Sequence, residues 1–242
     1  MKKICLGFVG ICLLSVLSGC GLLINEQITH EGEQVTEIFN VGEFIGVNIS
    51  MLSTVNFIQS DTFYVTATMK DSEIGHLNIT VENGIMTPTI DSPIYYTDIE
   101  NKPKFNIYAP TLEYINLSGF VVAEDWDMIV GENLNVNLGG TSLLSINVEV
   151  ENLEVLTNDT AMLNISGYAR YTLIDSRGSK DIYSLQLRTE YANITNSNSG
   201  NIDITVLNSL VAEVNDEAVL RYIGNPELTK SISGNGKIHR IY

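Results

Sequence analysis

The sequence predicts an all-β protein: a parallel β-helix, or solenoid, preceded by an N-terminal β section. Three observations predict it. Short runs of alternating apolar residues, enriched in Val, Ile, Thr and Tyr, recur to the C-terminus, and that period of two belongs to strands. No run of three helical turns interrupts them. From Leu117 onward, an aliphatic residue followed by four mostly small or polar residues returns at a period near 20, the mark of stacked repeats.

The N-terminus has its own pattern. Lys2 and Lys3 precede the apolar run Ile4–Leu14, about the length of a signal-peptide core. That run is shorter than the ~20 residues a membrane-spanning helix requires. Leu17-Ser18-Gly19-Cys20 follows and resembles the lipobox of bacterial lipoproteins. The resemblance implies cleavage before Cys20 and lipidation of its thiol, which would anchor the chain to a membrane outside the cytoplasm. Cys5 and Cys12 would leave with residues 1–19, so no disulfide or thiolate metal site forms within one chain. Loss of Lys2 and Lys3 takes the formal charge from −16 to −18. Such a body repels nucleic acid and anionic lipid surfaces.

Residues 20–34 read as a polar tether carrying Asn25, Glu26, Glu31 and Glu33. Strand patterns begin near Val35. Val47–Ser50, Phe63–Met69 and Leu77–Val81 alternate, and Glu82-Asn83-Gly84 is a hairpin-turn signal. The stretch from Ile90 to Pro110, punctuated by Pro93, Pro103 and Pro110, reads as an irregular connection packed over one end of the solenoid. The chain thus divides into a leader (1–19), a lipidated tether (20–34) and one body (35–242), in which an N-terminal section (35–110) precedes the coils (111–242).

The repeat markers are Leu117, Leu138, Leu156, Ile174, Ile194, Val214 and Ile232, spaced by 21, 18, 18, 20, 20 and 18 residues. Each coil of a solenoid buries its apolar face only when another coil stacks on it. The reading therefore expects Leu138, Leu156 and Ile174 in one column. Gly, Asn, Asp, Ser and Thr after each marker suit a sharp corner, where they take unusual dihedrals or bond their own backbone. Leucine-rich repeats have similar periods but keep a fixed leucine frame that is missing here. A β-sandwich does not explain a corner that recurs at this period.

The same residues carry a family resemblance. Leu112–Gly119, Asn164–Ala169, Arg221–Pro226 and Ser231–Ile238, with Asn40-Val41-Gly42 and Glu82-Asn83-Gly84 upstream, resemble the family described as "putative auto-transporter adhesin, head GIN domain". The resemblance runs over about residues 35–242. It implies a right-handed, single-stranded parallel β-helix on a lipoprotein or secreted protein, and it brings no catalytic residues. The middle corners depart from the Ser-Gly pattern: Thr157–Thr160, Thr195–Asn198 and Asn215–Ala218.

No metal or other cofactor is implied. His30, His76 and His239 lie far apart in sequence and read as surface or incidental residues. Asp125 and Asp127 flank Trp126 and would share a face on a strand, and Asp175 and Asp181 lie near one corner. Either pair would suit an enzyme that cleaves polysaccharide with two carboxylates. Arg170, Arg177 and Arg188, on neighbouring coils, are the basic residues a lyase would draw on. The better lead is aromatic: Trp126, Tyr168, Tyr171, Tyr183 and Tyr191 are candidates to stack on sugar rings. The leading expectation is a non-enzymatic envelope lipoprotein whose solenoid binds glycan or a surface protein. A polysaccharide-cleaving enzyme and a structural or stress-linked envelope component without specific ligand are the alternatives. Ile241 and Tyr242 end the last coil without an evident cap, which leaves end-to-end pairing of copies open.

Overall fold

In a computed structural model, the structure describes residues 28, 30–94, 96 and 100–242. The leader, Cys20 and the first part of the tether lie outside the described residues. The chain begins with β1 (Gln34–Asn40), β2 (Gly46–Ile49), β3 (Ser53–Gln59) and β4 (Tyr64–Lys70). One helical turn, α1 (Asp71–Ile74), leads to β5 (Leu77–Glu82), β6 (Ile85–Ile90) and β7 (Lys104–Ala109). The coils follow as β8 (Tyr114–Leu117), β9 (Val121–Ala123), β10 (Ile129–Leu138), β11 (Leu143–Thr157), β12 (Met162–Ser176), β13 (Ile182–Asn196) and β14 (Asn201–Val214). They close with β15 (Val219–Ile223), β16 (Glu227–Ile232) and β17 (Lys237–Arg240).

From β8 to β17 every pairing is parallel and joins one coil to the next, so the fold is a parallel β-helix. Along β11 side chains alternate between core and solvent on either side of the bend, as the period of two requires. The strands β11 to β13 run 15 residues each and bend where the ladder skips Glu151, Arg170 and Glu190. Gly167 sits at a second bend with φ +106°. A Cβ there would lie 2.0 Å from the Val148 carbonyl oxygen of the coil beneath, so only glycine fits.

The first coil begins earlier than the repeats suggest. Strands β2 and β3 lie parallel beside β8 and β9, so residues 46–59 already form a coil. Its other side is covered by β6 and β7, and the sheet then continues antiparallel through β4 to β1. Strand β7 corrects the reading of residues 90–110 as irregular. Pro103 and Pro110 flank this strand without entering its ladder, where a missing N–H would cost a bond. The β5–β6 hairpin turns at Asn83 and Gly84, both at positive φ, as the Asn-Gly signal requires. One hydrophobic cluster runs unbroken from Phe44 to Tyr222.

The end of the stretch read as tether is docked. Ile28 is buried, Lys70 Nζ donates to the Gly32 carbonyl at 3.0 Å, and Ser72 Oγ donates to the Glu31 carbonyl at 2.9 Å. His30 is not a surface residue: its Nδ1 pairs with the buried Glu73 carboxylate beneath the Tyr96 ring. Burial, and then the Glu73 charge, push the Tyr96 phenol well above the ordinary tyrosine range.

The column expected through Leu138, Leu156 and Ile174 does not form. Leu138 stands between Leu117 and Thr157, and the column reads Ile49, Leu117, Leu138, Thr157, Ser176, Asn196, Val214, Ile232. Leu156 faces outward between Asn137 and Asp175, and Ile174 lies inward beside Val155 and Ile194. The reason is a polar insertion. In three coils the last inward residue is Thr157, Ser176 or Asn196, so the last aliphatic residue falls one or two places early. With a period of two, a slip of one place reverses the face. Thr157 and Ser176 satisfy each other, whereas Asn196 bonds the backbone and its Oδ1 is left without a partner among the described residues. Thr157 Oγ1 donates to Ser176 Oγ at 3.0 Å, and Asn196 Nδ2 donates to the carbonyls of Gly200 and Val219 at 3.0 and 3.2 Å. At the corners, Asp159, Asn198 and Asp216 take the positive φ that Gly119, Gly140 and Gly234 take elsewhere. The Asp159 and Asp216 carboxylates accept the N–H of Gly140 and Asn198 in the turn beneath, which offsets the backbone cost.

Two expectations follow for urea denaturation. Leu138→Ala will cost about 2–5 kcal/mol, because it opens a cavity in a buried column, whereas Leu156→Thr will change stability by less than about 1 kcal/mol. Ser176→Ala will cost about 1–3 kcal/mol by stranding the Thr157 hydroxyl, and Thr157→Val added to it will recover part of that loss.

Candidate functional site

Outward residues of successive coils line up as their inward neighbours do. On the face formed by the starts of the coils, Ser145, Asn164, Tyr183, Asp203 and Arg221 occupy one column. Asn147 and Ser166 pair beside them. Asn164 Nδ2 donates to Ser145 Oγ at 3.0 Å, which leaves further amide and hydroxyl groups facing solvent. A groove of about 510 Å³ runs along this face, lined by these side chains, Gln186, Leu185 and, at its far end, Glu124 and Trp126.

Trp126 reaches the groove because residues 124–128 leave the strand pattern after β9. The segment is clipped to β3. Trp126 Nε1 donates to the Val55 carbonyl at 2.7 Å, and its ring lies 5.8 Å from Phe57. The Asp127 N–H donates to the Phe57 carbonyl, and the Asp127 carboxylate accepts the Gln59 N–H at 2.8 Å. This overturns the strand geometry expected for Asp125 and Asp127. The segment joins no strand ladder, and Asp127 is committed to a backbone amide. Asp175 is clasped by Arg177, and Asp181 accepts from the Asn201 N–H, the Asn201 side chain and the Tyr183 hydroxyl. Among the described residues, no group of three or more His, Cys, Asp or Glu gathers where a metal would sit.

Of the two carboxylates that line the groove, Asp203 is paired and Glu124 stands exposed at the far end. Arg221 holds the nearly buried Asp203 in a two-pronged contact at 2.6 and 2.7 Å, and this hydrogen bonding raises the guanidinium further above its ordinary value. The Tyr183 hydroxyl donates to Asp181 at 3.0 Å. That bond, and then the carboxylate's charge, raise the phenol above the ordinary tyrosine range and hold the ring in place. Tyr183 remains 44% exposed.

The five aromatic candidates therefore divide. Trp126 and Tyr183 share this groove. Tyr171 and Tyr191 lie on the face formed by the ends of the coils, in a second groove of about 550 Å³ with Asn133, Asn152, Leu173 and Val211. Their rings stack on each other, 5.1 Å apart and 18° from parallel, and Arg170 lies 5.2 Å from the Tyr171 centroid. Tyr168 stands at the bend, where its hydroxyl donates to Glu190 at 2.7 Å. Arg170 pairs with Glu151 at the same bend, far along the coil from Arg177 at the corner. The groove-lining Ser145, Asn147, Asn164, Ser166 and Gln186 were not singled out in the sequence. Their signal was the outward half of the alternation, readable only with the correct register.

The coil geometry has a counterpart among known proteins. The family described as "Putative auto-transporter adhesin, head GIN domain" matches residues 43–226. The chain belongs to this family. Solved structures share the GIN-domain fold over nearly the whole body. A "putative adhesin" from Bacteroides fragilis NCTC 9343 is 21% identical, with a TM-score of 0.80 over 88% of this chain and 100% of its own. One from Parabacteroides merdae ATCC 43184 is 17% identical, with a TM-score of 0.69 over 89% and 99%. A "putative lipid binding protein" from Parabacteroides distasonis ATCC 8503 is 17% identical, with a TM-score of 0.72 over 90% and 100%. A comparison with curated proteins finds no match. At these identities the likeness establishes the fold of this GIN domain and leaves its groove to be read from its own residues.

Alkaline titration followed by tyrosine absorbance tests the groove's hydrogen bonding. Tyr183 will ionise later than a free tyrosine, and Asp181→Asn will return that phenol toward the ordinary range.

Proposed function

We propose that this GIN domain is a non-enzymatic cell-envelope lipoprotein, anchored through Cys20, that binds glycan in the groove between Trp126 and Tyr183. One observation carries the reading. Two separately braced aromatic rings lie in a groove whose lining includes Ser145, Asn147, Asn164, Ser166 and Gln186, with Asp203 neutralised by Arg221 and Glu124 at the far end. Such a surface offers apolar ring faces and neutral donors and acceptors together, the combination a sugar presents in return. Neither ring is stacked on another in a parallel pair, unlike Tyr171 and Tyr191. The family description as an adhesin head agrees with a role in attachment outside the cytoplasm. The lipobox-like Leu17–Cys20 supports the anchor. Among the described residues, no helix is long and apolar enough to cross a membrane.

Trp126 is the chain's single tryptophan, so its fluorescence reports on the groove alone. A glycan-array screen of residues 21–242 will find a ligand that shifts Trp126 emission. Tyr183→Ala will weaken that ligand by about tenfold, the size of one lost stacking contact, while Tyr171→Ala will leave it unchanged. A ligand whose binding survives Tyr183→Ala, or an array with no ligand, rejects the groove. Product formation from a bound glycan rejects the non-enzymatic reading. For the anchor, Cys20→Ser will release the protein from the membrane fraction.

A further inference from the structure

The last coil differs from every coil beneath it. The inward column through Val47, Ile115, Val136, Val155, Ile174, Ile194 and Ala212 ends at Lys230. All positions before it are buried and apolar, and Lys230 is exposed. A further coil of this chain stacked on β16 would bury an ammonium above Ala212, at high desolvation cost. Lys230 therefore disfavours an apolar coil stacked on β16. The neighbouring inward column also surfaces here, with Ile232 45% exposed.

Two more features converge on this end. Strand β16 pairs only with β14, and β17 only with β15, so among the described residues their outer edges carry unpaired N–H and C=O groups. Such edges are templates for an added strand. The end is also basic on an acidic protein. From Arg221 onward the chain holds Arg221, Lys230, Lys237 and Arg240 against one carboxylate side chain, Glu227, while the whole chain carries −16. Asp203 occupies Arg221, so Lys230, Lys237 and Arg240 are the exposed cations of this end, Arg240 also touching Asn225 and the Tyr242 ring, against the exposed Glu227.

We propose that the β16–β17 end is a docking edge for an acidic, extended polypeptide segment of a partner protein. The free edge selects a strand, because only a polypeptide supplies complementary backbone groups at strand spacing. Lys230 and Lys237 select acidic side chains on it. A second copy is the poorer occupant. Joined end to end about a two-fold axis, two copies would oppose Lys230, Lys237 and Arg240 with themselves. Joined head to tail, they would find the first coil already covered by β6 and β7.

The test uses the full chain in detergent with a short peptide alternating Thr and Glu, and its Thr–Lys counterpart as control. Amide hydrogen exchange is read over residues 227–232 and 237–240. The Thr–Glu peptide will slow exchange there and the Thr–Lys peptide will not, and added salt will reduce the effect. Lys230→Glu combined with Lys237→Glu will abolish the protection by the acidic peptide and confer protection by the basic one. The proposal is overturned if neither peptide slows exchange or if both do so equally. It is also overturned if sedimentation shows the free chain already paired through this end.

Discussion

Everything in this molecule depends on one constraint: outside the bends, each strand residue in a coil lies directly over its counterpart in the next, about 4.8 Å away. Parallel pairing between coils enforces it from β2 to β17. A residue is thus never placed alone. An inward leucine gains most from apolar neighbours above and below, and an inward polar residue needs a hydrogen-bond partner in its column or on the nearby backbone. The unbroken core from Phe44 to Tyr222 is the sum of such columns, and each coil would expose its face without its neighbours.

The constraint explains how three polar residues came to lie in a core column. Thr157, Ser176 and Asn196 occupy successive levels. Thr157 and Ser176 bond each other, and Asn196 bonds two backbone carbonyls near the corner. Burial of Thr157 or Ser176 alone would leave a hydroxyl stranded, and Asn196 Oδ1 is left without a partner among the described residues. The same stacking builds the outer surface. Ser145, Asn164, Tyr183 and Asp203 form a continuous wall because their coils are in register, and Tyr171 meets Tyr191 for the same reason. Grooves here are consequences of register, with no cleft between domains required.

Much of this was legible in the residues. Alternation gave strands, the Asn83-Gly84 pair gave a hairpin, and the recurring corner near every 20 residues gave stacked coils. The register was not legible, because the aliphatic residue before each corner is a poor marker where the next inward place is polar. Leu156 shows the consequence: one place of slip put an outward leucine in the predicted core. Trp126 was legible as an aromatic near the first coil. Its segment, however, is held by Val55, Phe57 and Gln59, about seventy places earlier in sequence, and local pattern carries no trace of that contact. His30 was misread for a related reason, since its burial depends on Glu73 in α1.

The sequence by itself determined the class of fold, the coil length, the hairpin, the acidic charge and the lipobox-like motif at Cys20. These are local or compositional properties, set by side-chain period, turn chemistry and residue counts. Tertiary structure alone decided which residues share a column. It placed Trp126 with Tyr183 and apart from Tyr171 and Tyr191, and it left Lys230 as the charged end of an otherwise apolar stack. The physical reason is that inter-coil register is fixed by the fit of every column at once, and no single coil contains that information.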